Sequence, residues 1–412
     1  MDFCAELPPL DSARGLEHGH SCPCGPGKSA WAPSAERGEG PPARIERISL
    51  THVRVPLVEP FRISHAEVAE KDAIVVRLHA DGAIGYGESS PMAGSFYSAE
   101  TPESCWQVLT ERAAPWVLRQ QPASPAALDP LAAAMPRDRF AFAGIETALW
   151  DLGARRAGVS LAAALGATRS EVECGLAVGL YDTIEQLLAA IHRHLPDGYR
   201  RLKIKIEPDH DVELVRAVRA EFGDDLPLFV DANAAYDFGD LDIFRKLDKF
   251  HLVMIEQPFA AHDLEGMARL QRKVRTPICI DESAEDIKMV QRALDMKAAR
   301  IVNLKVQRVG GLLRAKQLHD FCLAQGVPAW CGAMPELGLG QAQGLAVAAL
   351  ANCVFPTDIE PSARWFADDI IRPWLEMDAD GMIRVPDAPG TGFEVAQDKI
   401  EKYAVRHWER GV

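Results

Sequence analysis

Long apolar runs are absent from this 412-residue sequence, and no stretch approaches the roughly 18 apolar residues that a membrane-spanning helix needs. A surplus of basic residues is also lacking, because 45 Lys and Arg stand against 59 Asp and Glu for a formal net charge of −14. That balance argues against a nucleic-acid-binding surface and against a basic membrane-binding patch. We therefore expect no nucleic-acid partner and no membrane association.

Two common catalytic motifs are missing as well. The sequence contains neither a GxxxxGK[ST] phosphate-binding loop nor a GxSxG nucleophile elbow, so nucleotide binding and serine hydrolysis have no support. Its nine cysteines are an odd, scattered set, and several of them (Cys279, Cys322 and Cys331) stand in apolar runs as expected of small core residues. The opening residues do not combine a basic segment with an apolar core, so we expect no secretory signal and a cytoplasmic location.

Composition and periodicity divide the chain into four predicted parts. Residues 1–43 are rich in Gly, Pro and Ser without an apolar period, which predicts a disordered N-terminal extension. Residues 44–168 read as strands followed by helices, which is typical of an α+β domain. Residues 169–376 alternate strand and helix and predict a (β/α) barrel. The turn-rich residues 377–412 are expected to pack back on the first domain.

Ionisable residues recur at a nearly constant spacing in the predicted barrel region. Five of them end short apolar, β-branched runs at intervals of 24 to 26 residues: Lys205, Asp231, Glu256, Asp281 and Lys305. Such an interval suits one strand, one helix and two loops. Each side chain is thus expected at the same end of consecutive parallel strands, where barrels carry their active sites. Eight strands are predicted, the last a weak one near residues 352–358.

The types of these residues indicate a chemistry. Three carboxylates cannot crowd together unpaired, and an all-oxygen shell suits Mg²⁺, for which Mn²⁺ or another divalent metal can substitute. Lysines on either side could remove and return a proton α to a substrate carboxylate, with an enediolate intermediate. Lys203 shares a strand face with Lys205, and we expect its charge to disfavour the protonated form of Lys205. The outcome is racemisation or epimerisation, or loss of a β-leaving group if the second lysine only stabilises charge.

Each piece taken alone has a structural explanation. A Lys-x-Lys pair can be two solvated lysines, and the run from Asp281 to Ser283 can be a helix N-cap. The conjunction of five groups in phase favours catalysis, whereas a non-catalytic barrel that binds a small acid would be expected to have lost one of them.

The motifs around these residues resemble the enolase superfamily, in its muconate-lactonising-enzyme subgroup, from Arg44 onward. The barrel motifs that carry the resemblance are KIK at 203–205, VDAN at 230–233, IEQP at 255–258, DES at 281–283 and NLKVQRVGG at 303–311. Further segments resemble o-succinylbenzoate synthases and N-acylamino acid racemases: EPFRIS at 59–64, GYGESSPMAGSFYSAET at 85–101, ETALWDL at 146–152, CGAMPELGLGQA at 331–342 and PTDIEPSARWFADDIIRP at 356–373.

The resemblance implies a modified, enolase-like TIM-type α/β barrel with an N-terminal α+β capping domain that the C-terminal segment completes. It also implies roles for particular residues. The metal ligands would be Asp231, Glu256 and Asp281, the acid/base pair Lys205 and Lys305, and the supporting shell Lys203, Asn233 and Glu282. Substrate-binding residues would be Phe61, Ser64, His65, Met92 and Tyr97 in the capping loops, with Ala333 and Met334 in the loop after the seventh strand.

The sequence departs from the resembled pattern near the substrate. His65 and Ala66 replace an aromatic residue and a glycine, and Ala333 replaces a glycine, which adds a methyl group to the pocket. Racemisation of N-acyl (N-succinyl) amino acids and o-succinylbenzoate synthesis by dehydration both remain open, with lactonisation or another epimerisation as alternatives. The strand-eight segment, Thr357 to Glu360, lacks the Asp-x-Asp of dipeptide epimerases. We further expect a small-molecule carboxylate substrate and a homo-oligomer of unspecified size.

Overall fold

The computed structural model describes residues 44–63, 66–94 and 97–412. The predicted extension, residues 1–43, lies outside the described residues, and so do Ser64 and His65. The predicted domain boundaries after residues 168 and 376 stay predictions. No helix within the described ranges is long and apolar enough to cross a membrane.

The first described segment folds as an antiparallel meander of β1 (Ile45–Ile63), β2 (Ala66–Ala80) and β3 (Ala83–Ser89). Asp81 and Gly82 form the predicted turn between the last two strands. Both have positive φ (49° and 77°), as required by the two-residue turn that matches the twist of paired strands.

Helices follow the meander, as the sequence predicts. They are α1 (Pro102–Val108), α2 (Ala114–Gln120), α3 (Asp129–Ala134), α4 (Arg139–Ala157) and α5 (Leu161–Leu165), with a π-helical turn at Leu109–Ala113 and a 3-10 turn at Pro125–Leu128. The longest, α4, lies directly on β3, because a Cβ at Gly85 would approach the Ala148 carbonyl oxygen to 2.3 Å. Gly158 ends α4 in the left-handed conformation, with φ of 67°.

Strand and helix then alternate through the barrel. The elements are β4 (Glu171–Glu173), β5 (Leu176–Val178), α6 (Ile184–His194), β6 (Leu202–Lys205), α7 (Val212–Phe222), β7 (Leu228–Asp231), α8 (Leu241–Leu247), β8 (Met254–Glu256), α9 (Leu264–Gln271), β9 (Ile278–Ile280), α10 (Ile287–Asp295), β10 (Ile301–Leu304), α11 (Val306–Val309), α12 (Leu312–Ala324), β11 (Ala329–Cys331) and α13 (Gly338–Ala348). The strands from β5 to β11 pair in parallel and in sequence order.

The predicted eighth strand is irregular. The segment at 353–358 makes single parallel bridges, from Cys353 to Ala329 of β11 and from Thr357 to Cys174 beside β5. The Thr357 carbonyl also accepts a hydrogen bond of 2.9 Å from the backbone N–H of Gly175. These contacts join the two edges of the seven-stranded sheet and complete the modified barrel. The run VECGLAV at 172–178, whose pattern predicts a single first barrel strand, is divided between β4 and β5.

The last part of the chain returns to the first, as predicted. It contains α14 (Ser362–Trp365), β12 (Ile371–Arg372), β13 (Met382–Arg384), β14 (Glu394–Val395), α15 (Gln397–Lys402) and β15 (Ala404–Gly411). Antiparallel pairing of β15 with β1 adds a fourth strand to the meander, in the order β15-β1-β2-β3. The C-terminal segment therefore completes the α+β capping domain.

Candidate active site

The predicted acids and bases lie at the carboxyl ends of the barrel strands. Lys205 pairs in register with Asp231, and Asp231 pairs with Glu256. Glu256 pairs next with Cys279, so Asp281 lies two residues further toward the barrel mouth. Side chains two residues apart on a strand point the same way. Asp281 therefore points into the barrel as Cys279 does, but lies closer to the barrel mouth.

An apolar floor lies directly below this polar layer. It is a buried cluster of Phe229, Met254, Cys279, Ile301 and Trp330. Four of these residues each lie two positions before a polar residue of the site: Phe229 before Asp231, Met254 before Glu256, Cys279 before Asp281, and Ile301 before Asn303. The period-two alternation of each strand thus provides one apolar level and one polar level inside the barrel. The floor excludes water from beneath the polar groups and strengthens their electrostatic interactions.

The two candidate bases pair with different carboxylates. Lys205 Nζ lies 2.6 Å from Asp231 Oδ2, and Lys305 Nζ lies 2.8 Å from Asp281 Oδ2. Lys205 ends β6 and Lys305 follows β10, so the two lysines stand on either side of the strands that carry the carboxylates. All five predicted groups are buried.

Repulsion among the carboxylates remains despite these ion pairs. Burial, followed by repulsion from Asp231 and Asp281, raises the pKa of Glu256 to about 7. Burial also acts to raise the pKa of Asp281, but Lys305 and Arg308 outweigh it and hold that pKa below its usual range. The three carboxylates therefore still repel one another, and a bound cation would relieve that repulsion.

Lys203 supports the layer as a fixed counter-ion. Its Nζ lies 3.2 Å from Glu256 Oε2 and 3.6 Å from Asp231 Oδ2, and it also contacts Asp358. Burial opposes its charge, but the three carboxylates outweigh burial and raise the pKa of Lys203. Lys203 therefore stays protonated at neutral pH.

Asp358 and Arg201 are site residues that sequence reasoning missed. Asp358 contacts both Lys203 and Arg201, and all three side chains are buried. The Arg201 guanidinium lies over the Phe229 ring, 4.9 Å from its centroid. Asp358 lies at the end of the irregular eighth segment, which makes single bridges in place of a regular strand. Barrel closure brings it into contact with Lys203.

Replacing Asp358 with asparagine should destabilise the fold strongly. Two buried cations would lose their shared counter-ion, which typically lowers the free energy of unfolding by about 3–5 kcal/mol. Urea denaturation measures the change. The matched control is Asp387→Asn, because Asp387 pairs with Arg384 at the surface, where the side chains are 85% and 80% exposed. That variant should unfold like the parent protein.

The loss should also depend on pH. Burial would raise the pKa of Asp358, but Arg201 and Lys203 lower it to about 2. A depressed pKa contributes stability above the unfolded-state value, near 4, and loses it as pH falls toward 2. The difference between the parent and Asp358→Asn should thus be constant above about pH 5 and shrink below about pH 4. A difference that grows on acidification would contradict this account.

Arg308 is a third residue that sequence reasoning missed. Its guanidinium contacts Asp281 and the backbone carbonyl oxygen of Asn303, and its Nε donates to the carbonyl oxygen of Ala284 at 3.2 Å. It follows Lys305 by three residues, on the short helix α11. Arg308 therefore holds the outer oxygen of Asp281 while Lys305 contacts the other. Its position three residues after Lys305 is the feature of the sequence that could have identified it as a site residue.

Asn233 and Glu282 lie beside the carboxylates, and their role as a supporting shell stays a prediction. The Asn233 backbone N–H donates to Asp231 Oδ1 at 3.0 Å, and its side-chain amide donates to Glu282 Oε1 at 3.4 Å. Two buried oxygens there, Asn233 Oδ1 and Glu282 Oε2, have no hydrogen-bond partner in the described structure. Unpartnered buried oxygens next to mutually repelling carboxylates are the donor set expected around a hard divalent cation.

Two of the carboxylates, those of Asp231 and Asp281, form ion pairs with lysines and do not converge on a common point. Within the described ranges, no three His, Cys, Asp or Glu side chains already surround a common point as a metal cage. Asp231 and Asp281 each direct an oxygen to a different lysine, which accounts for this arrangement. The residues present fit Mg²⁺ by chemistry and charge once those two contacts are released.

A pocket opens above the layer, between the barrel and the capping domain. The predicted substrate-binding residues within the described ranges all line it: Phe61, Met92, Tyr97, Ala333 and Met334. The three lysines and Asn233 line it as well, together with the unpredicted Ala177, Pro335, Asp358 and Trp365. Ser64 and His65 lie outside the described residues, and the substrate-binding roles stay predictions.

Tyr97 joins the capping domain to the polar layer. Its hydroxyl donates to Asp281 Oδ1 at 3.0 Å, and Lys305 Nζ lies 4.9 Å from the centroid of its ring. On the opposite side of the pocket, Phe61 packs edge-on against Trp365, with ring centroids 5.1 Å apart. Aromatic side chains of the cap thus approach the acids and bases from above.

Comparison with known proteins agrees with this architecture. Residues 45–166 match the family described as "Mandelate racemase / muconate lactonizing enzyme, N-terminal domain", and residues 186–399 match "Enolase C-terminal domain-like". The chain is 42% identical to an o-succinylbenzoate synthase of Geobacillus kaustophilus, over 87% of this chain and 96% of that protein. It is 41% identical to an N-succinylamino acid racemase of Amycolatopsis sp, over 87% and 97%.

A solved structure has the same fold. The crystal structure of an enolase-superfamily protein from Listeria innocua matches with a TM-score of 0.85 and 34% identity, covering 90% of this chain and 99% of that one. The chain therefore belongs to the enolase superfamily, as its motifs indicate, and it is an enzyme. Members of this superfamily generally use Mg²⁺.

Proposed function

We propose that this enzyme abstracts a proton α to a carboxylate and racemises N-acyl amino acids, with N-succinyl amino acids as the main substrate class. The observation that carries the proposal is the placement of Lys205 and Lys305. They stand on either side of the carboxylate-bearing strands and both line one pocket. Racemisation needs a proton acceptor on one face of the α-carbon and a proton donor on the other.

The two lysines exchange roles with the direction of the reaction. The neutral amine of one lysine removes the α-proton, and the ammonium of the other delivers a proton to the opposite face. Product release leaves the two protonation states reversed, ready for the other enantiomer.

Asp231, Glu256 and Asp281 are the proposed ligands of Mg²⁺, for which another divalent ion can substitute. When bound, the ion stabilises the negative charge that develops on the substrate carboxylate as the proton leaves. Asn233 and Glu282 supply oxygens beside these ligands, and Arg308 holds Asp281 in place. Pairing with lysines favours the ionised forms of Asp231 and Asp281.

A second candidate activity is o-succinylbenzoate synthesis. The chain is almost equally identical to a synthase and to a racemase, at 42% and 41%, which supports both activities as candidates. In this reaction one lysine removes the α-proton of a hydroxylated cyclohexadiene carboxylate and returns it to the departing hydroxyl, which leaves as water to form the aromatic product. The opposite lysine stays charged throughout.

Deuterium exchange tests the proposed function. In D₂O with Mg²⁺, an N-succinyl amino acid of either configuration should lose its α-proton signal by NMR and yield deuterium in both enantiomers. The cyclohexadienol substrate should separately give the aromatic product, followed by absorbance. Exchange from neither enantiomer would contradict the racemase proposal, and aromatic product without exchange would leave the synthase as the activity.

A further inference from the structure

A buried lysine outside the catalytic layer lies behind the pocket wall. Lys71, on β2, is 2% exposed. Its Nζ donates to the carbonyl oxygens of Ser90 at 3.0 Å, Pro91 at 3.4 Å and Met334 at 3.3 Å. In the part of the chain that the structure describes, no carboxylate oxygen forms an ion pair with it.

The three carbonyls belong to two different loops. Ser90 and Pro91 leave β3 of the capping domain, and Met334 lies in the barrel loop between β11 and α13. The ammonium also approaches Met92 Sδ at 3.9 Å. Met92 and Met334 both line the pocket and belong to one buried apolar cluster. Lys71 thus bridges the two backbone segments that carry these methionines.

Burying a cation on carbonyl oxygens alone is costly, so the position calls for an explanation. Burial lowers the pKa of Lys71, while the nearby charges of Glu336 and Glu88 oppose that change. The ammonium is a compact donor with three N–H groups, which suits three carbonyls and an apolar surround. A neutral side chain of similar length would fill the space without joining the loops.

Other contacts hold the same two segments together. Glu88, at the end of β3, accepts from the backbone N–H groups of Leu337 at 3.0 Å and Gly340 at 2.8 Å, at the N-terminus of α13. Gln307 accepts from the Ser90 N–H at 3.0 Å and donates to the Glu88 carbonyl oxygen at 2.8 Å. The capping loop is thereby tied to the barrel two residues from Lys305. Glu88 also accepts from Ser90 Oγ at 2.6 Å, and Lys71 adds a cation that donates to the backbone carbonyl oxygens of both methionine-bearing segments.

We propose that Lys71 is a positioning residue that sets the enzyme's preference among N-acyl groups, by holding the Met92 and Met334 loops at one separation. This inference rests on the proposed function. Met92 and Met334 both line the pocket, and neither loop supplies a proposed metal ligand or a proposed base. A change in loop separation should therefore alter acyl discrimination without altering the chemistry.

Lys71→Met tests the inference, because it keeps the length of the side chain and removes the ammonium. We expect the ratio of kcat/KM for N-succinyl over N-benzoyl substrates of one amino acid to fall about tenfold, within the range that pocket contacts supply. The change should appear mainly in KM. At a fixed acyl group, the ratios among amino-acid side chains should stay within about twofold. Lys71→Arg, which keeps charged donors, should restore part of the acyl ratio.

Controls separate positioning from folding. The matched control is Lys288→Met, since Lys288 is an exposed residue of α10 and its loss should leave both ratios unchanged. Equal loss of activity with every acyl group, or an equal change in amino-acid preference, would show that Lys71 serves only the fold. If Lys71→Met does not fold, Lys71→Gln takes its place under the same criteria. A parent enzyme that racemises none of these substrates would refute the proposed function, and the inference with it.

Discussion

Replacing Lys305 with alanine should abolish racemisation while leaving deuterium exchange from one enantiomer. Lys205 would still abstract the proton on its own face, but no group would deliver a proton on the other. Lys205→Ala should give the mirror result, with exchange retained from the opposite enantiomer. The loss of a positioned acid or base typically costs on the order of 10²–10⁴-fold in rate, so racemisation should fall by at least that factor.

The measurement follows each enantiomer separately by NMR in D₂O after chiral separation. Lys288→Ala is the matched control, because that lysine is exposed on α10 and should leave both rates unchanged. Thermal unfolding of each variant establishes that it is folded. Loss of exchange from both enantiomers in both folded variants would contradict the assignment of one lysine to each face. Retained racemisation in either variant would remove that lysine from the mechanism.

Removing the divalent ion should abolish activity, and it should also lower stability. A ligand that binds the folded state stabilises it by about 2.7 kcal/mol at a concentration 100 times its Kd. Added Mg²⁺ should therefore raise the melting temperature of protein treated with EDTA. In Asp281→Asn and Glu256→Gln this rise should be much smaller, because each variant removes an anionic oxygen donor from the proposed site.

The melting experiment does not depend on catalysis, so it tests the metal assignment independently of the substrate. Asp387→Asn is the control, since its exposed carboxylate lies in a surface pair and should leave the Mg²⁺ response intact. Full activity in EDTA would refute a metal-dependent reaction. An undiminished response to Mg²⁺ in both ligand variants would place the binding site elsewhere.

Much of the barrel was predictable, because one physical rule repeats in it. Each strand of a (β/α) barrel delivers its last inward side chain to the same mouth, so equal spacing of Asp231, Glu256 and Asp281 predicts convergence. The spacing did not predict their relative height. Pairing of Glu256 with Cys279 places Asp281 two residues further along the barrel, and register is set by the packing of whole strands.

Other residues of the site carried no local signal. Asp358 lies in a segment that makes single bridges in place of a strand, so its facing follows from barrel closure. Arg201 and Lys71 look in sequence like solvated strand residues, because Arg and Lys are rarely fully buried. They are buried because segments distant in sequence pack around them. The residue pattern of a single segment cannot predict that packing.

The amino-acid order alone determined the chemistry available to this enzyme: two lysines separated by three carboxylates, on strands that repeat with one period. That followed because strand alternation and parallel pairing are local and regular. The tertiary structure decided which lysine faces which carboxylate, which charges pair with Lys203, and how the Met92 and Met334 loops are joined at Lys71. Those contacts link residues as far apart as 263 positions, so they exist only once the capping domain and the barrel have packed together.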